Sequence, residues 1–465
     1  MSVNLWHNHC FLVQGIFFIS CALTIYFILR RPYLYIRIGK RRFSLETYFM
    51  GILLAPVILL LSGLINFNQA LIGLEGTSSL KPLGILALFL SMVFMSIFLD
   101  ITGFFEFCAR LALKRAGNNG KKLFFFLYFA VSVLTVFTSN DIIILTFTPF
   151  IYYFTKEAKI DPKPYLIAEF FAANTWSMML YIGNPTNILL ASAYNLKFLE
   201  YTKLMLLPTI MAGLANMFLL YMLFYKSINK PLELTSDVNP SQAITDKTGM
   251  FLGLGLLVLC IIFLSLAPYY HIDMWLVSLG FALILLLILI CLDFMVVARR
   301  KIAITDSKIC VLPATLKRMP WTVVPFLLSL FVMIEALKIY GVTDSIGSIF
   351  AGLVKESSSA TVFIFGFFSA LSANVINNIP MTVAYVPIIA KVSATLELPA
   401  VLATTIGSNL GANITPIGAL AGIMWVNLLK GRDLHLSFLE FVKYGFLVTP
   451  ITLGLSLLVL TLEML

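Results

Sequence analysis

The chain has 465 residues, of which 60% are hydrophobic and 12% charged, and its mean hydropathy is +0.97. This composition excludes a soluble globular domain and is typical of a polytopic membrane protein. The formal net charge of +10 does not indicate a nucleic-acid partner, because most Lys and Arg residues lie in loops between apolar runs, where they orient membrane proteins.

The first half begins with three apolar spans, near 10–29, 48–65 and 82–99. A basic stretch, RRPYLYIRIGKRR, separates the first two spans and is expected to stay in the cytoplasm, which places the N-terminus outside. The first span is too long for a signal-peptide core and no clear cleavage site follows it, so we expect it to be retained.

Two polar interruptions follow these spans. An apolar stretch turns at TSND (138–141) and has basic loops on both sides, which predicts a re-entrant hairpin that enters and leaves on the cytoplasmic side. The next crossing, 165–193, contains Asn174, Thr175 and then GNPTN (183–187), so we expect a broken helix. The run 204–225 then returns inward.

A polar segment divides the chain into two similar halves, residues 1–230 and 248–465, with 231–247 as a cytoplasmic linker. The second half repeats the order of the first. Its three spans, a turn at NVINNIP (374–380), a second broken crossing and a last span are placed as follows: 250–270, 274–292, 321–339, 374–380, 402–429 and 444–462.

A short alignment supports one duplication. Laying SNDIIILTFTPFI on NNIPMTVAYVPII pairs Asn140 with Asn378, and Pro149 with Pro387, at an offset of 238 residues. Each half has an odd number of crossings, so the second half enters the membrane from the opposite side. In this topology 26 of the 32 Lys and Arg residues are cytoplasmic and both termini are outside.

The predicted fold is therefore an all-α polytopic membrane protein with two inverted repeats, about ten transmembrane helices, two re-entrant hairpins and two broken helices. In the second break, GSNLGANITPIG (407–418), we expect Gly407, Gly411 and Gly418 to relax the backbone and Pro416 to remove a donor. Backbone freed at membrane depth must face protein or a watery cavity.

Inverted repeats with paired broken helices indicate a secondary transporter with a site near the middle of the membrane. The four breaks supply hydroxyl and amide side chains, one carboxylate, and no Lys or Arg. The residues predicted to bind substrate or ion are Ser139, Asn140, Asp141, Asn174, Thr175, Asn184, Thr186, Asn187, Asn377, Asn378, Ser408, Asn409, Asn413 and Thr415.

Asp141 is the main candidate for coupling. An ionised Asp facing lipid costs about 2.5 to 3.5 kcal/mol, so Asp141 needs a cavity, a cation or a proton. We expect it to carry the coupling proton or to help hold a coupling Na⁺ together with Asn140, Asn378 and Asn409; the alternative is a hydrogen-bonded structural cap. We expect no other metal and no cofactor, since the six cysteines and four histidines show no ligand spacing.

The other intramembrane acidic residues favour structural roles. Asp100 and Glu106 lie near the inner end of the third span. They either terminate this span or have a role in function. Glu335 is expected to pair with Lys338 on one helix. Glu169 is a further candidate to face the cavity, without a neighbouring residue to support it.

Four segments resemble the ArsB arsenite permeases of the ArsB/NhaD ion-transporter superfamily. They are FLDITGFFEF (98–107), TSNDIIILTFTPFI (138–151), NNIP (377–380) and NLGANITPIGALAGIMWVNLL (409–429). The resemblance covers nearly the whole chain in matching order, and it implies a scaffold and a transport domain that move as in an elevator. One segment, IGNPTNI (182–188), is closer to the pattern of carboxylate and other anion carriers.

These observations predict a secondary transporter of a small inorganic solute, coupled to protons or Na⁺, with arsenite or antimonite efflux as the first choice. Arsenite, As(OH)₃, is largely neutral at pH 7, so its site needs hydrogen bonds rather than a fixed cation. The alternatives are a sodium-coupled dicarboxylate or oxyanion symporter, or a sodium/proton antiporter. A channel and a membrane enzyme are less favoured, since no nucleophile, base or metal constellation is visible.

The sequence also predicts the location of the protein and its partners. We expect it in the plasma or inner membrane of the cell, with the lipid bilayer and a small inorganic ion or small anion as partners and no nucleic acid. A homodimer formed through the scaffold spans is also expected.

Overall fold

The computed structural model describes residues 3–38, 41–76, 81–232, 239–300, 310–430, 432, 434 and 436–464. Helices account for most of this part of the chain. The first half contains α1 (Val3–Arg30), α2 (Tyr48–Leu61), α3 (Phe67–Glu75), α4 (Pro82–Ile101), α5 (Phe104–Ala116), α6 (Gly120–Phe137), α7 (Asn140–Glu157), α8 (Lys163–Trp176), α9 (Pro185–Ala193) and α10 (Phe198–Ile228). The second half contains α11 (Lys247–Leu266), α12 (Met274–Arg300), α13 (Val311–Arg318), α14 (Val323–Ile339), α15 (Val342–Val354), α16 (Ser358–Ile376), α17 (Asn378–Ile389), α18 (Ala394–Gly411), α19 (Leu420–Lys430) and α20 (Phe438–Glu463).

Nine segments in the described ranges are long and apolar enough to cross a membrane: α1, α4, α6, α10, α11, α12, α13 with α14, α16 and α20. The predicted second span is shorter than expected. Helix α2 has 14 residues and ends at Leu61, because the chain turns at Ser62 and Gly63, where Gly63 adopts a φ of +70°. A capping box between Asn66 and Gln69 then starts α3.

The basic stretch after α1 is not the plain loop that the sequence suggested. It forms an antiparallel hairpin of β1 (Tyr33–Ile38) and β2 (Arg41–Glu46), in which Tyr33 pairs with Glu46 and Ile38 with Arg41. Alternating aromatic and β-branched residues favour such strands. Residues 39–40 of this stretch lie outside the described part of the chain, and the hairpin is a small addition to a helical fold.

The two halves make the same contacts with partners exchanged, which supports the predicted duplication. Helix α4 packs on α12 while α14 packs on α2, α7 packs on α19 while α17 packs on α9, and α6 packs on α8 while α16 packs on α18. Gly103 before α5 and Gly341 before α15 both adopt a left-handed φ, +87° and +70°. They are 238 residues apart, the offset that separates Asn140 from Asn378.

The boundaries of the two halves stay a prediction. Part of the expected linker, 233–238, lies outside the described residues. After it, Pro240–Ala243 forms a 3-10 turn, and the Asp246 carboxylate accepts a hydrogen bond from the Gly249 amide at 2.9 Å to begin α11. The loops at 299–320 and 430–443 are also described only in part.

Two bundles are defined by these contacts. The scaffold bundle comprises α1–α4 and α11–α14, and the transport bundle comprises α6–α10 and α16–α20, with α5 and α15 connecting them. The transport bundle holds an aromatic core in which Phe170, Trp425 and Phe441 pack with ring centroids 5.1 to 5.8 Å apart. The polar breaks lie within this bundle.

Candidate functional site

The first broken helix is interrupted where the sequence predicted. Helix α8 ends at Trp176, the chain makes a 3-10 turn at Tyr181–Gly183, and α9 begins at Pro185. Proline at the first helical position loses no hydrogen bond, because that amide has no partner within the helix. Asn184 caps α9, since its side-chain oxygen accepts from the Thr186 amide at 3.2 Å.

The second break is shorter than expected, because α18 continues through Gly411. The interpretation that Gly407 and Gly411 relax the backbone is wrong. A Cβ at Gly407 would lie 2.0 Å from Ser369 Oγ, and one at Gly411 would lie 2.6 Å from Ala370 Cα, so both glycines allow α18 to approach α16 closely. The break itself covers 412–419, and Asn409 therefore projects from a helix.

Amide side chains join the first hairpin to both breaks. Asn140, at the start of α7, donates to Asn174 Oδ1 at 3.0 Å, and Asn174 donates to Asn413 Oδ1 at 3.1 Å. Asn413 in turn donates to Thr175 Oγ1 at 3.4 Å. All four side chains are buried, so this chain of hydrogen bonds crosses the interior of the transport bundle.

Asn409 is the centre of a second set of contacts between the breaks. Its oxygen accepts from Ser177 Oγ and from Asn184 Nδ2, each at 2.9 Å. Its nitrogen donates to Asn187 Oδ1 at 2.6 Å and to Thr405 O at 2.8 Å. We call the eight side chains of the two sets the amide cluster: Asn140, Asn174, Thr175, Ser177, Asn184, Asn187, Asn409 and Asn413.

The second hairpin docks on the second break through both side-chain and backbone hydrogen bonds. Asn377, with a φ of +72°, donates to Ile417 O at 3.0 Å, and the Asn378 amide donates to Gly418 O at 3.0 Å. Thr415 Oγ1 donates to Asn374 Oδ1 at 2.6 Å. This hairpin tip therefore closes over the break without joining the amide cluster directly.

The remaining predicted residues lie beside these groups. Ser408 Oγ is 3.5 Å from Thr382 Oγ1, and Thr186 Oγ1 is 3.4 Å from Asn187 Oδ1. The Ser139 hydroxyl and the Asn378 side-chain oxygen are buried and have no hydrogen-bond partner among the described residues. Unpaired buried polar atoms are rare, so both groups have capacity left for a solute or an ion.

Asp141 faces a cavity of about 330 Å³ between the two bundles, which we call the Asp141 cavity. Ser139 and Asp141 line it from the hairpin tip, while Glu46, Thr322 and Arg318 line it from the scaffold side. The Asp141 amide also donates to Asn140 Oδ1 at 2.9 Å. The start of α7 thus connects this cavity to the amide cluster.

The sequence prediction missed several residues of the site. Lys317 and Arg318 line the Asp141 cavity although they belong to α13, far from the breaks in sequence, and nothing local indicated this. Ser177 and Asn374 are different, since each adjoins a break or turn that was recognised. Asn216, on α10, donates to Thr175 Oγ1 at 2.8 Å and could only be found from the fold.

The acidic residues occupy distinct surroundings. Asp100 accepts from Thr146 of α7 at 2.9 Å and pairs with Arg318, so it connects the two bundles rather than only ending α4. The predicted pair of Glu335 with Lys338 is present, at 3.7 Å.

Two further carboxylates were also singled out from the sequence. Glu106 pairs with Arg110 on α5 at 2.6 Å. Glu169 is buried, and its two oxygens lie 2.9 and 3.0 Å from Thr148 Oγ1. It does not line the Asp141 cavity.

The residues nominated for Na⁺ differ in their capacity to bind it. The side-chain oxygens of Asn140 and Asn409 already accept hydrogen bonds. The Asp141 carboxylate and the Asn378 oxygen have no side-chain hydrogen bond within the described residues. Oxygen donors of this kind suit a hard cation. In the same ranges, no group of three or more His, Cys, Asp and Glu residues is placed to hold a metal.

Comparison with known proteins identifies related transporters. The sequence model of the family described as citrate transporter, CitMHS, matches residues 47–407. The arsenical pump membrane protein of Escherichia coli (strain K12) is 28% identical over 388 residues, covering 81% of this chain and 86% of that protein. The putative arsenical pump membrane protein of Bacillus subtilis (strain 168) is 25% identical over 424 residues, covering 84% and 92%. The resemblance seen in the sequence is confirmed.

A solved structure shares the fold. The YdaH transporter of Alcanivorax borkumensis, described as having an unusual topology, superposes with a TM-score of 0.55 at 13% identity and covers 98% of each chain. At that identity the likeness concerns the fold alone. Together with the apolar helices, these relatives establish a multi-pass membrane protein.

Proposed function

Because the chain belongs to the citrate transporter family, CitMHS, and is a secondary transporter, we propose that its solute is arsenite or antimonite, exported in exchange for protons or Na⁺. The relatives named arsenical pump membrane protein support this choice of solute. The polar breaks of the transport bundle are the proposed binding site.

The observation that carries the proposal is the chemistry of the amide cluster. Its eight side chains are amides and hydroxyls, and no Lys or Arg in the described ranges bonds to any of them. Arsenite presents three hydroxyl groups that both donate and accept hydrogen bonds, as amides and hydroxyls do. Such a lining complements a neutral hydroxide without requiring a fixed counter-charge.

Access to the cluster would come through the Asp141 cavity. Ser139 has an unused hydroxyl at its wall, and Asp141 supplies the one carboxylate of the hairpin tip. We assign to Asp141 the coupling proton or cation, because a carboxylate at this depth is stable only when it is neutralised. The hydrogen bond from its backbone amide to Asn140 Oδ1 would transmit a change of charge to the cluster.

A second candidate is an anion such as a carboxylate. One specific observation favours it: Lys317 and Arg318 line the Asp141 cavity, and cations of this kind recognise carboxylates. Arg318 already pairs with Asp100, which uses part of its hydrogen-bonding capacity. The description of the family as citrate transporters also supports this alternative.

Expression in cells that lack their own arsenite exporter distinguishes the candidates. We expect resistance to arsenite and antimonite to rise, and to fall back when Asn174→Leu removes the hydrogen bonds between the breaks. Lys355→Ala, an exposed change away from the cluster, is the matched control. Unchanged resistance, together with sodium-dependent uptake of citrate, succinate or sulfate that Arg318→Gln abolishes, would replace arsenite with an anion.

A further inference from the structure

A second groove lies between the two bundles. A groove of about 440 Å³ runs between α1 and α14 of the scaffold bundle, the connecting helix α15, and the second hairpin of α16 and α17. We call it the hairpin groove. Its walls are mostly apolar and include Phe18, Ile346, Phe368, Leu371 and Val375.

Four polar side chains line the groove, and two of them, Ser372 and Tyr385, are hydrogen-bonded to each other at 3.2 Å. The Thr343 hydroxyl, at the start of α15, lines the groove, is buried and has no partner among the described residues. Gln14 of α1 lines the same groove, and its only side-chain hydrogen bond in the described ranges is a weak one to Cys10 Sγ at 3.6 Å. An occupant is therefore expected to be mostly apolar and to offer a polar group to Thr343 and Gln14.

The groove is continuous with the surface that faces lipid. Phe18 is 57% exposed and Val375 is 64% exposed, on helices that are long and apolar enough to cross the bilayer. In a membrane such side chains contact acyl chains, which can enter the groove laterally. From this continuity we propose that the hairpin groove binds one phospholipid, with an acyl chain along α16 and an ester oxygen at Thr343 and Gln14.

An acyl chain is narrower than a helix, which is about 10 Å across, and it is flexible enough to follow an irregular groove. The groove lies between scaffold helix α1 and the hairpin of α16 and α17, whose tip is Asn377. A lipid bound there therefore contacts both bundles at once.

The test uses the purified full-length protein in nanodiscs containing a phosphatidylethanolamine with a photoreactive diazirine in its acyl chain. We expect label on α1 near Phe18 and on α16 near Val375. Ala384→Phe, which fills the groove, should abolish this label. Thr343→Val, which removes only the hydroxyl, should lower it about fivefold, the effect of one hydrogen bond.

Two matched controls separate this site from general lipid contact and from misfolding. Thr449→Val removes another buried unpaired hydroxyl, outside the groove, and Ala130→Phe enlarges a residue on α6. Both should keep the label on α1 and α16. Label spread evenly over the apolar helices, equal label in Thr343→Val and wild type, or cross-links joining two copies through the groove would overturn the proposal. These readouts do not depend on which solute is transported.

Discussion

At the scale of single residues, Asn409 makes four hydrogen bonds with one side chain, three of them to the first broken helix or its flanks. Asn409→Ala would leave Ser177, Asn184 and Asn187 buried without these partners. We predict a loss of about 2 to 3 kcal/mol in the free energy of unfolding, since each unpaired buried group is costly. The measurement is the apparent melting temperature of the purified protein. Asn427→Ala, on α19, is the control, and equal melting temperatures would contradict the role of Asn409.

Asp141 is the residue whose charge the coupling proposal requires. Asp141→Asn preserves the size of the side chain and the hydrogen bond from the backbone amide to Asn140 Oδ1, but its side chain cannot gain or lose a proton in the relevant range. We predict that transport driven by an ion gradient in everted vesicles is lost while the protein remains folded. Asp344→Asn, which changes an exposed carboxylate paired with Lys391, should transport normally. Coupled transport at the wild-type rate in Asp141→Asn would exclude the assignment.

At the scale of elements, the close packing of α16 against α18 depends on glycine. A Cβ at Gly407 would also lie 2.3 Å from Gly366 O, a backbone atom that cannot move aside alone. We predict that Gly407→Ala lowers stability by about 1 to 3 kcal/mol, the usual cost of overpacking. Gly454→Ala is the matched control, because no heavy atom lies within 4 Å of its Cβ position and alanine favours a helix. A melting temperature as high in Gly407→Ala as in Gly454→Ala would contradict this account.

The elements differ in how far sequence predicted them. The hairpin tips and both broken helices were predicted from polar residues within apolar runs. Such residues indicate them because non-helical backbone at membrane depth needs polar partners. The roles of Gly407 and Gly411 were predicted wrongly, because glycine is found both where a helix is interrupted and where two helices pack closely. Only the position of the neighbouring helix distinguishes the two roles. The β-hairpin at 33–46 was not predicted, because the arginines of this stretch indicated only a cytoplasmic loop. Arg318 reaches the Asp141 cavity through tertiary contacts that no local pattern records.

At the scale of the whole molecule, the inverted repeat makes a prediction about sidedness. Lys122 lies in the first turn of α6, and Glu356 lies just before α16. These are the first helices of the two hairpins, and both residues are exposed. In a cysteine-free background we predict that Lys122→Cys reacts with an impermeant maleimide only from the cytoplasm and Glu356→Cys only from outside. The basic loops motivate this assignment. Reaction of both positions from the same side would remove the inversion, although not the duplication.

Two ion pairs between segments distant in sequence agree with the predicted membrane topology. Lys163 pairs with Glu440 at 2.8 Å, Lys81 pairs with Asp273 at 2.8 Å, and each pair joins segments predicted on the same side of the membrane. The Lys81 ammonium beside Asp273 also holds the pKa of that carboxyl below its ordinary value. The Lys81–Asp273 pair joins segments of the scaffold bundle, and the Lys163–Glu440 pair joins helices of the transport bundle. The interface between the bundles contains the Asp141 cavity and the hairpin groove.

We propose that the paired breaks hold a neutral inorganic hydroxide, and heat protection of the purified protein tests this proposal most directly. A solute at 100 times its dissociation constant stabilises the folded state by about 2.7 kcal/mol. We predict that arsenite and antimonite raise the melting temperature of the wild type and that Thr175→Val, which loses a hydroxyl of the amide cluster, abolishes the rise. The same rise in Thr175→Val, or protection by citrate and Na⁺ but not by arsenite or antimonite, would contradict the claim.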